Sequence, residues 1–149
     1  MNDLKAFITK SNRIEGIIRP PTKNEISATQ KFLALKELKI DDVCALVDVY
    51  APGKKLRLHP GMDVRVGSYY PPSGGMGIGI ALKALLEKIN AGTINPWTAH
   101  LDFESLHPFE DGNGRSGRAI WAWHMRYISW MEIGFLHAWY YQTLKNVDR

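Results

Sequence analysis

Apolar side chains recur at intervals of three and four residues along most of the chain, which is the spacing of amphipathic helices. Near the N-terminus this spacing predicts a helix over about residues 3–15, and Gly16 follows it where a C-terminal cap would fall. Thr22 and Glu25 form the pattern of a capping box, so we expect a second helix that begins there and ends near Lys39.

The helical pattern continues through the second half of the chain. Helices are predicted from a cap at Asp41 or Asp42 to residue 50, from 78 to 91, and from 96 to 107. After residue 118 an almost wholly apolar stretch leaves no polar face, so it predicts a central helix that is buried on all sides. Gly134 predicts a break before a last helix that ends near Leu144. The apolar residues of the central helix are Ile120, Trp121, Trp123, Met125, Ile128 and Trp130.

Residues 54–68 interrupt the helical pattern. Residues 56–59 and 64–66 alternate apolar and polar side chains on either side of Pro60-Gly61, which predicts a β-hairpin. We therefore expect the 149 residues to form one all-α domain of about seven helices, with a β-hairpin flap at 54–68.

Composition and charge argue against several classes of protein. The chain has 45% hydrophobic and 23% charged residues, which is typical of a globular domain. Its net charge is +4, but the basic residues form no run, so we expect no nucleic-acid partner. We also expect no membrane span, because Arg126, Glu132 and two histidines interrupt the apolar C-terminal stretch. A single cysteine, Cys44, and the lack of a signal-peptide pattern predict a cytoplasmic protein.

One stretch of twelve residues brings together the side chains that a polyphosphate site requires. His107 supplies an imidazole that would take a proton from an attacking hydroxyl, and Asp111 supplies a hard oxygen ligand for Mg²⁺. The glycines on either side of Asn113 allow consecutive backbone N–H groups to bind an anion at a helix N-terminus. Arg115 and Arg118 are three residues apart, so both guanidinium groups share one helix face and suit phosphate oxygens.

This stretch resembles the Fic motif, H-x-F-x-(D/E)-G-N-G-R-x-x-R, over residues 107–118. The resemblance implies a Fic-type helical core and an enzyme that transfers AMP from ATP to a Ser, Thr or Tyr hydroxyl of a target protein, with Mg²⁺ as cofactor. Phe109 would anchor the loop in the core. All eight fixed positions of the motif are filled, by His107, Phe109, Asp111, Gly112, Asn113, Gly114, Arg115 and Arg118.

The same resemblance implies a role for each of the motif positions. His107 would be the catalytic base and Asp111 the Mg²⁺ ligand. Gly112–Gly114 would bind phosphate through backbone N–H groups. Arg115 and Arg118 would be phosphate ligands, with Arg118 nearest the γ-phosphate of ATP.

Residues 11–16, Ser-Asn-Arg-Ile-Glu-Gly, resemble the inhibitory motif (S/T)-x-x-x-E-(G/N) of Fic proteins that carry it N-terminal to the catalytic core. The resemblance implies that Glu15 pairs with Arg118 and blocks productive placement of the γ-phosphate. Ser11 lies four residues before Glu15, on the same helix face, and would orient the glutamate or its helix. Residues 1–17 would therefore form an autoinhibitory helix.

The resemblance leaves several functions open. A target protein would bind along the flap at 54–68 as an extra strand, through backbone hydrogen bonds. The alternatives to AMP transfer are de-AMPylation with Glu15 positioning a water, another Fic-type phosphate-group transfer, and a non-catalytic module that binds a protein partner. Gly114 argues against phosphoryl transfer, because family members that phosphorylate replace this glycine. A homo-oligomer also stays open.

Histidines outside the motif are predicted to be structural. His100 and Glu104 are four residues apart, so we expect them to pair with each other on one helix face. A zinc site would need more ligands than this pair. His124 and His137 lie in apolar stretches, so we expect both in the core.

Overall fold

The computed structural model describes residues 2–126, which contain six α-helices. The all-α prediction is confirmed for this part of the chain, where β-type pairing is confined to isolated bridges. Among the same residues, no helix is long and apolar enough to cross a membrane. The helices are α1 Asn2–Ile14, α2 Lys23–Leu33, α3 Ile40–Tyr50, α4 Met76–Ala91, α5 Pro96–Leu106 and α6 Asn113–His124.

Helix α6 lies at the centre of the fold and packs against α1, α2, α3 and α5. Every residue from Arg115 to Trp123 is buried, so the prediction of a helix buried on all sides is confirmed over these positions. Because α6 begins with the motif, the core that surrounds it also fixes the motif in place. The main core includes Phe32, Val47, Leu82, Phe103, Phe109 and Ile120.

Helix α2 ends at Leu33, before the predicted end near Lys39. The chain leaves the helical path because the Asn90 side chain holds the Leu38 backbone from α4. Its carbonyl accepts the Leu38 N–H and its amide donates to the Leu38 carbonyl, both at 2.8 Å. Helix α3 then begins at Ile40, and Asp42 in its first turn accepts the Lys39 N–H at 2.9 Å.

The predicted β-hairpin over residues 54–68 is not formed. Its first half pairs with the motif: Leu56 forms an antiparallel bridge with Phe109, and the Arg57 N–H donates to the Pro108 carbonyl at 2.9 Å. The hairpin prediction was wrong because the first half of the segment pairs with the backbone of Pro108 and Phe109 and not with the second half of the segment.

The side chains of the segment 54–68 also depart from the alternation that predicted the hairpin. Arg57 is fully buried, whereas Leu58 is 40% exposed, which reverses the expected inward and outward positions. In the second half of the segment, Val66 and Tyr69 close a tight turn through two backbone hydrogen bonds of 2.9 Å. The contacts of Arg57 therefore determine the path of this segment, and the alternation of apolar and polar residues does not.

Some predictions fall beyond the described residues. Helix α6 ends at His124, with Met125 as its C-cap. The count of about seven helices stays a prediction beyond the six that are described. The apolar positions Ile128 and Trp130, the break at Gly134, the core position of His137 and the last helix to Leu144 all lie outside residues 2–126.

Helix α1 packs on α6 through a separate hydrophobic cluster, in which Leu4, Phe7 and Ile8 contact Trp121 and Ala122. This cluster fixes the N-terminal helix beside the last residues of the motif.

The buried carboxylate of Glu25 holds the C-terminal turn of α1. It accepts a hydrogen bond of 2.9 Å from the Asn12 amide and one of 2.6 Å from Arg19, and it also completes the capping box with Thr22. Burial alone would raise the pKa of Glu25, but hydrogen bonds from Thr22, Asn12 and Arg19 outweigh it and lower that pKa below its usual value. The start of α2 is thus tied to the end of α1.

Gly117 lies where α5 and α6 cross, and a side chain there has no room. A Cβ would lie 2.9 Å from Cδ1 of Phe103 and would overlap the Glu104 carboxylate. We predict that Gly117→Ala lowers the free energy of unfolding by about 1–3 kcal/mol, the usual cost of overpacking a core.

Gly77→Ala is the matched control, because Gly77 lies in α4 with no atom within 4 Å of its Cβ position. This variant should leave stability unchanged or raise it by up to about 1 kcal/mol. Urea unfolding measures both values, and equal stabilities for the two variants would contradict the tight crossing.

Candidate active site

The motif connects the C-terminus of α5 to the N-terminus of α6. His107 is the C-cap of α5 and adopts the left-handed conformation, with φ 48° and ψ 61°. Its N–H donates to the Phe103 carbonyl at 2.9 Å. A non-glycine residue in this region costs of order 1–3 kcal/mol, so the surrounding contacts must hold His107 there.

The loop after His107 is held from the inside of the protein. Phe109 is 1% exposed and lies in the main core, as predicted. The Asn113 side chain accepts the Phe109 N–H and donates to the Phe109 carbonyl, both at 2.8 Å. Both polar atoms of the Asn113 amide therefore shape the loop, and this side chain is not directed at a ligand.

Gly112 begins the anion-binding turn. It caps α6 in the left-handed conformation, with φ 81°, where glycine is favoured. A Cβ would also lie 3.3 Å from Val47 and from Ala51. No side chain among the described residues caps this end of α6, so its first backbone N–H groups can bind an anion, which the helix dipole favours.

A cavity of about 310 Å³ opens at this end of α6. Its volume lies at the low end of the range for small-molecule sites, which is about 300–1,000 Å³. A larger groove of about 410 Å³ lies between the start of α3 and α4 and contains none of the predicted site residues. The smaller cavity is lined by Glu15, Ile17, His107, Asp111, Gly112, Asn113, Gly114 and Arg115.

Arg115 lines the cavity from a buried position. Its Nη1 donates to the Tyr50 carbonyl at 2.7 Å, and its guanidinium carbon lies 5.6 Å from the centre of the Tyr50 ring. Burial raises the pKa of Tyr50 to about 12, so this phenol stays neutral. The guanidinium of Arg115 is thus fixed by α3 at the edge of the cavity.

Arg118 is covered by α1. Its Nε donates to the Ser11 hydroxyl at 2.8 Å, and its Nη2 donates to the Ser11 carbonyl at 2.9 Å and to Glu15 Oε2 at 3.2 Å. The Arg118 side chain is 2% exposed, whereas 34% of the Glu15 side chain remains exposed. Ser11 therefore binds Arg118 directly, and the expectation that it acts only on the glutamate or its helix was too narrow.

The carboxylate of Glu15 also lies against Gly114. A Cβ at position 114 would be 2.7 Å from Oε1 and 3.0 Å from Oε2 of Glu15. The carboxylate thus occupies space at the N-terminus of α6, where the helix dipole favours negative charge.

Comparison with known families gives a match in the part of the chain that contains the motif. The model of the Fic/DOC family matches residues 78–125, which cover nearly all of α4, all of α5 and α6, and the motif between the last two. This part of the chain is similar to the Fic/DOC family. Comparison with curated proteins gave no match. Because the family match does not reach α1, the inhibitory role of that helix stays a prediction.

Asp111 is the candidate Mg²⁺ ligand. It is exposed at the cavity, and its Oδ1 accepts the Gly112 N–H at 2.7 Å, which leaves Oδ2 for a cation. Residues 2–126 contain no group of three or more metal-binding side chains. Mg²⁺ fits such a site, because it keeps several waters and binds through one or two carboxylates together with substrate phosphates.

Arg57 contacts the Fic motif and was missed by the sequence analysis. Its guanidinium donates to the carbonyls of Leu106 at 3.0 Å and His107 at 2.8 Å. An arginine between two leucines is equally typical of an exposed strand position, so the sequence carries no signal for this contact.

His100 and Glu104 lie buried where α5 meets α6. Their side chains approach to 4.0 Å, the outer limit of an ion pair. Burial and, to a smaller extent, the charge of Arg118 lower the pKa of His100 to about 3, although the contact with the Gly117 carbonyl acts in the opposite direction. His100 is therefore neutral, and the predicted pairing with Glu104 is a structural contact without a salt bridge.

The lowered pKa of His100 predicts a loss of stability in mild acid. In the unfolded chain this imidazole takes a proton near pH 6.5, whereas in the folded protein it does so only near pH 3. Between these values the unfolded state binds more protons, so falling pH favours unfolding by up to about 1.4 kcal/mol per pH unit.

His100→Gln should remove most of this slope between about pH 6 and pH 4, with a remainder from His124, whose pKa burial also lowers. His59→Gln is the matched control, because His59 is exposed. Urea unfolding at a series of pH values measures the slopes, and the same slope in His100→Gln and in the control would contradict the assignment.

Proposed function

We propose that the chain transfers AMP from ATP to a Ser, Thr or Tyr hydroxyl of a target protein. The observation that carries the proposal is that His107 and the N-terminus of α6 line one cavity. Activation of a hydroxyl beside a phosphate requires a base next to an anion-binding site, and these two groups supply both parts.

The proposed reaction is a substitution at the α-phosphorus of ATP. The target hydroxyl gives its proton to the His107 imidazole while its oxygen forms a bond to the α-phosphorus. The bond between the α-phosphorus and the oxygen that bridges to the β-phosphorus breaks, and pyrophosphate leaves with that electron pair. A positioned base of this kind typically contributes about 10²–10⁴-fold to the rate.

The polyphosphate of ATP would bind along the start of α6. Backbone N–H groups of the turn 112–114 would hold phosphate oxygens, while Arg115 and Arg118 would supply guanidinium groups, with Arg118 nearest the γ-phosphate. Asp111 would hold Mg²⁺, whose charge would stabilise the leaving pyrophosphate. His107 would then face the α-phosphorus from the other end of the motif.

We further propose that α1 keeps this reaction slow. Glu15 and Ser11 together take three hydrogen bonds from Arg118, and the Glu15 carboxylate lies against Gly114. A γ-phosphate would need the same guanidinium and would meet the negative charge of Glu15. A misplacement of about 1 Å costs roughly 10²-fold in rate, so displacement of the γ-phosphate would be enough to inhibit transfer.

The position of Glu15 also favours a second candidate function, the removal of AMP from a modified protein. Its carboxylate lines the same cavity as His107. It would orient a water for attack on the α-phosphorus of the AMP ester, and the products would be AMP and the free hydroxyl.

The target protein would bind along residues 54–68, beside the motif. The Leu56–Phe109 bridge joins this segment to the motif, so a chain that lies along it would be close to His107. Leu58 and Tyr70, which are 40% and 69% exposed, would contact it.

Replacement of the proposed base tests the chemistry. His107→Ala should lose about 10²–10⁴-fold in transfer of label from α-labelled ATP to protein, because no other group would take the proton of the hydroxyl. ATP binding should be retained, since the phosphates are bound by α6. His59→Ala, which removes an exposed histidine, should behave as the unchanged chain.

The position of the label separates the candidate functions. Retention of the α label shows AMP transfer, retention of the γ label shows phosphoryl transfer, and neither label is retained by a module that only binds protein. Release of AMP from a labelled target shows the second candidate. Equal transfer by His107→Ala and His59→Ala would exclude His107 as the base.

Removal of the Glu15 carboxylate tests the control by α1. Glu15→Gly should raise AMP transfer by roughly 10²-fold, because the γ-phosphate then reaches Arg118 without competition. Ser11→Ala should act in the same direction but less, since the Ser11 carbonyl still binds Arg118.

Arg13→Gly is the matched control, because Arg13 lies in the last turn of α1, close before Glu15, and is exposed. It loosens the helix by about 1 kcal/mol without removing a contact to Arg118. Equal activation by Arg13→Gly and Glu15→Gly would assign the effect to helix stability, and no activation by Glu15→Gly would exclude the inhibitory role.

A further inference from the structure

We propose that Arg57 is a positioning residue, which fixes the main chain of His107 in the conformation that places its imidazole at the cavity. The proposal rests on the proposed function, because it concerns the placement of the base of AMP transfer. Arg57 lies outside residues 78–125, which the family model matches. Its hydrogen bonds to this end of α5 and to the motif all go to backbone carbonyls.

The guanidinium of Arg57 is fully buried and donates from all three of its nitrogens. Nε donates to the His107 carbonyl at 2.8 Å, and Nη2 donates to the Leu106 carbonyl at 3.0 Å. Nη1 donates to the carbonyls of Met62 at 3.1 Å and Pro72 at 2.9 Å. One side chain thus joins the end of α5 to two points of the loop that precedes α4.

Arg57 also binds this end of α5 through its own backbone. Its N–H donates to the Pro108 carbonyl at 2.9 Å, so the carbonyls of Leu106, His107 and Pro108 all accept hydrogen bonds from one residue. The last carbonyls of a helix have no partner within it, and they attract positive charge. Arg57 supplies partners for the carbonyls before and after the His107 side chain, those of Leu106 and Pro108, and for the carbonyl of His107 itself.

These contacts bear on the one non-glycine residue in residues 2–126 with a positive φ, which is His107 at φ 48°. Side chains disfavour this region, so His107 leaves it when its neighbours are free to move. The Asn113 amide fixes the loop one residue beyond Pro108, at Phe109. Arg57 fixes the carbonyls before Phe109, and together with the contact of 3.4 Å between His107 Nδ1 and the Glu104 carbonyl it sets the direction in which the imidazole points.

The contacts of Arg57 indicate carbonyl binding and not an ion pair. No carboxylate among the described residues lies within ion-pairing distance of its guanidinium, and burial lowers its pKa against the more distant charge of Asp63. Four carbonyls in different directions suit a planar group with five N–H donors. A lysine has three donors on one atom and cannot reach the same set.

The test uses the full chain carrying Glu15→Gly with Arg57→Lys, Arg57→Ala or Lys88→Ala. Lys88 is the control, because it is an exposed cation of α4 that lies outside residues 54–68 and outside the cavity. With α-labelled ATP, Arg57→Ala should lower kcat by about 10²-fold and Arg57→Lys by less, while the Kd for ATP stays close to that of the control. Circular dichroism establishes folding, and Arg57→Lys carries the test if Arg57→Ala does not fold.

Histidine NMR of the same variants tests the positioning without any turnover. In Arg57→Lys the signals of His107 should shift while those of His124, at the other end of α6, stay in place, and Lys88→Ala should shift neither. If the parent chain transfers no AMP but the His107 signals shift in this way, the proposed function fails and the positioning role stands.

Three results would overturn the proposal. The first is a folded Arg57 variant whose His107 signals do not shift. The second is a kcat equal to that of Lys88→Ala. The third is a loss of ATP binding as large as the loss of kcat, which would mark general damage to the fold.

Discussion

Arg57 and Asn113 hold the connection between α5 and α6 from its two sides, and the geometry of every motif residue depends on that connection. Arg57 binds the carbonyls that end α5, and Asn113 binds the backbone of Phe109 as α6 begins. The negative end of one helix dipole and the positive end of another therefore meet at one cavity. His107 lies at the first and the turn at Gly112 at the second, so an imidazole and the first backbone N–H groups of α6 are adjacent by construction.

Helix α1 contacts the same site because Arg118, a buried arginine, needs hydrogen-bonding partners. Arg118 is buried by the fold, and a buried charge without hydrogen-bonding partners is strongly destabilising. Ser11 and Glu15 supply those partners. On this account the phosphates of ATP are an alternative set of partners for Arg118, and α1 and the nucleotide compete for it. The Asn12–Glu25 contact ties α1 to α2 and would set how readily α1 gives way.

The features that were predicted correctly from the sequence are those that depend on near neighbours in the chain. The capping box of Thr22 and Glu25 marks the start of α2, and the Gly-rich motif marks the start of α6. The end of α2 and the segment 54–68 could not be predicted, because Asn90 and the motif carbonyls that determine them are distant in sequence.

The candidate site was predicted from its motif, and the structure adds how its parts are held. Placing His107, Asp111 and residues 112–115 in one site needed only their spacing. The burial of Arg57 could be recognised only from the fold, because this arginine is buried where carbonyls from several segments of the chain converge on it. Likewise, the direct contact of Ser11 with Arg118 depends on how closely α1 packs on α6.

The central claim is that Glu15 and the γ-phosphate of ATP compete for Arg118. Crystal structures of the unchanged chain and of Glu15→Gly, each with Mg²⁺ and an ATP analogue that cannot be cleaved at the α-phosphorus, test it most directly. The account predicts that the γ-phosphate contacts Arg118 in Glu15→Gly, with the α-phosphorus facing His107. In the unchanged chain the Glu15–Arg118 pair should persist and the γ-phosphate should lie elsewhere. The same phosphate positions in both structures would contradict it.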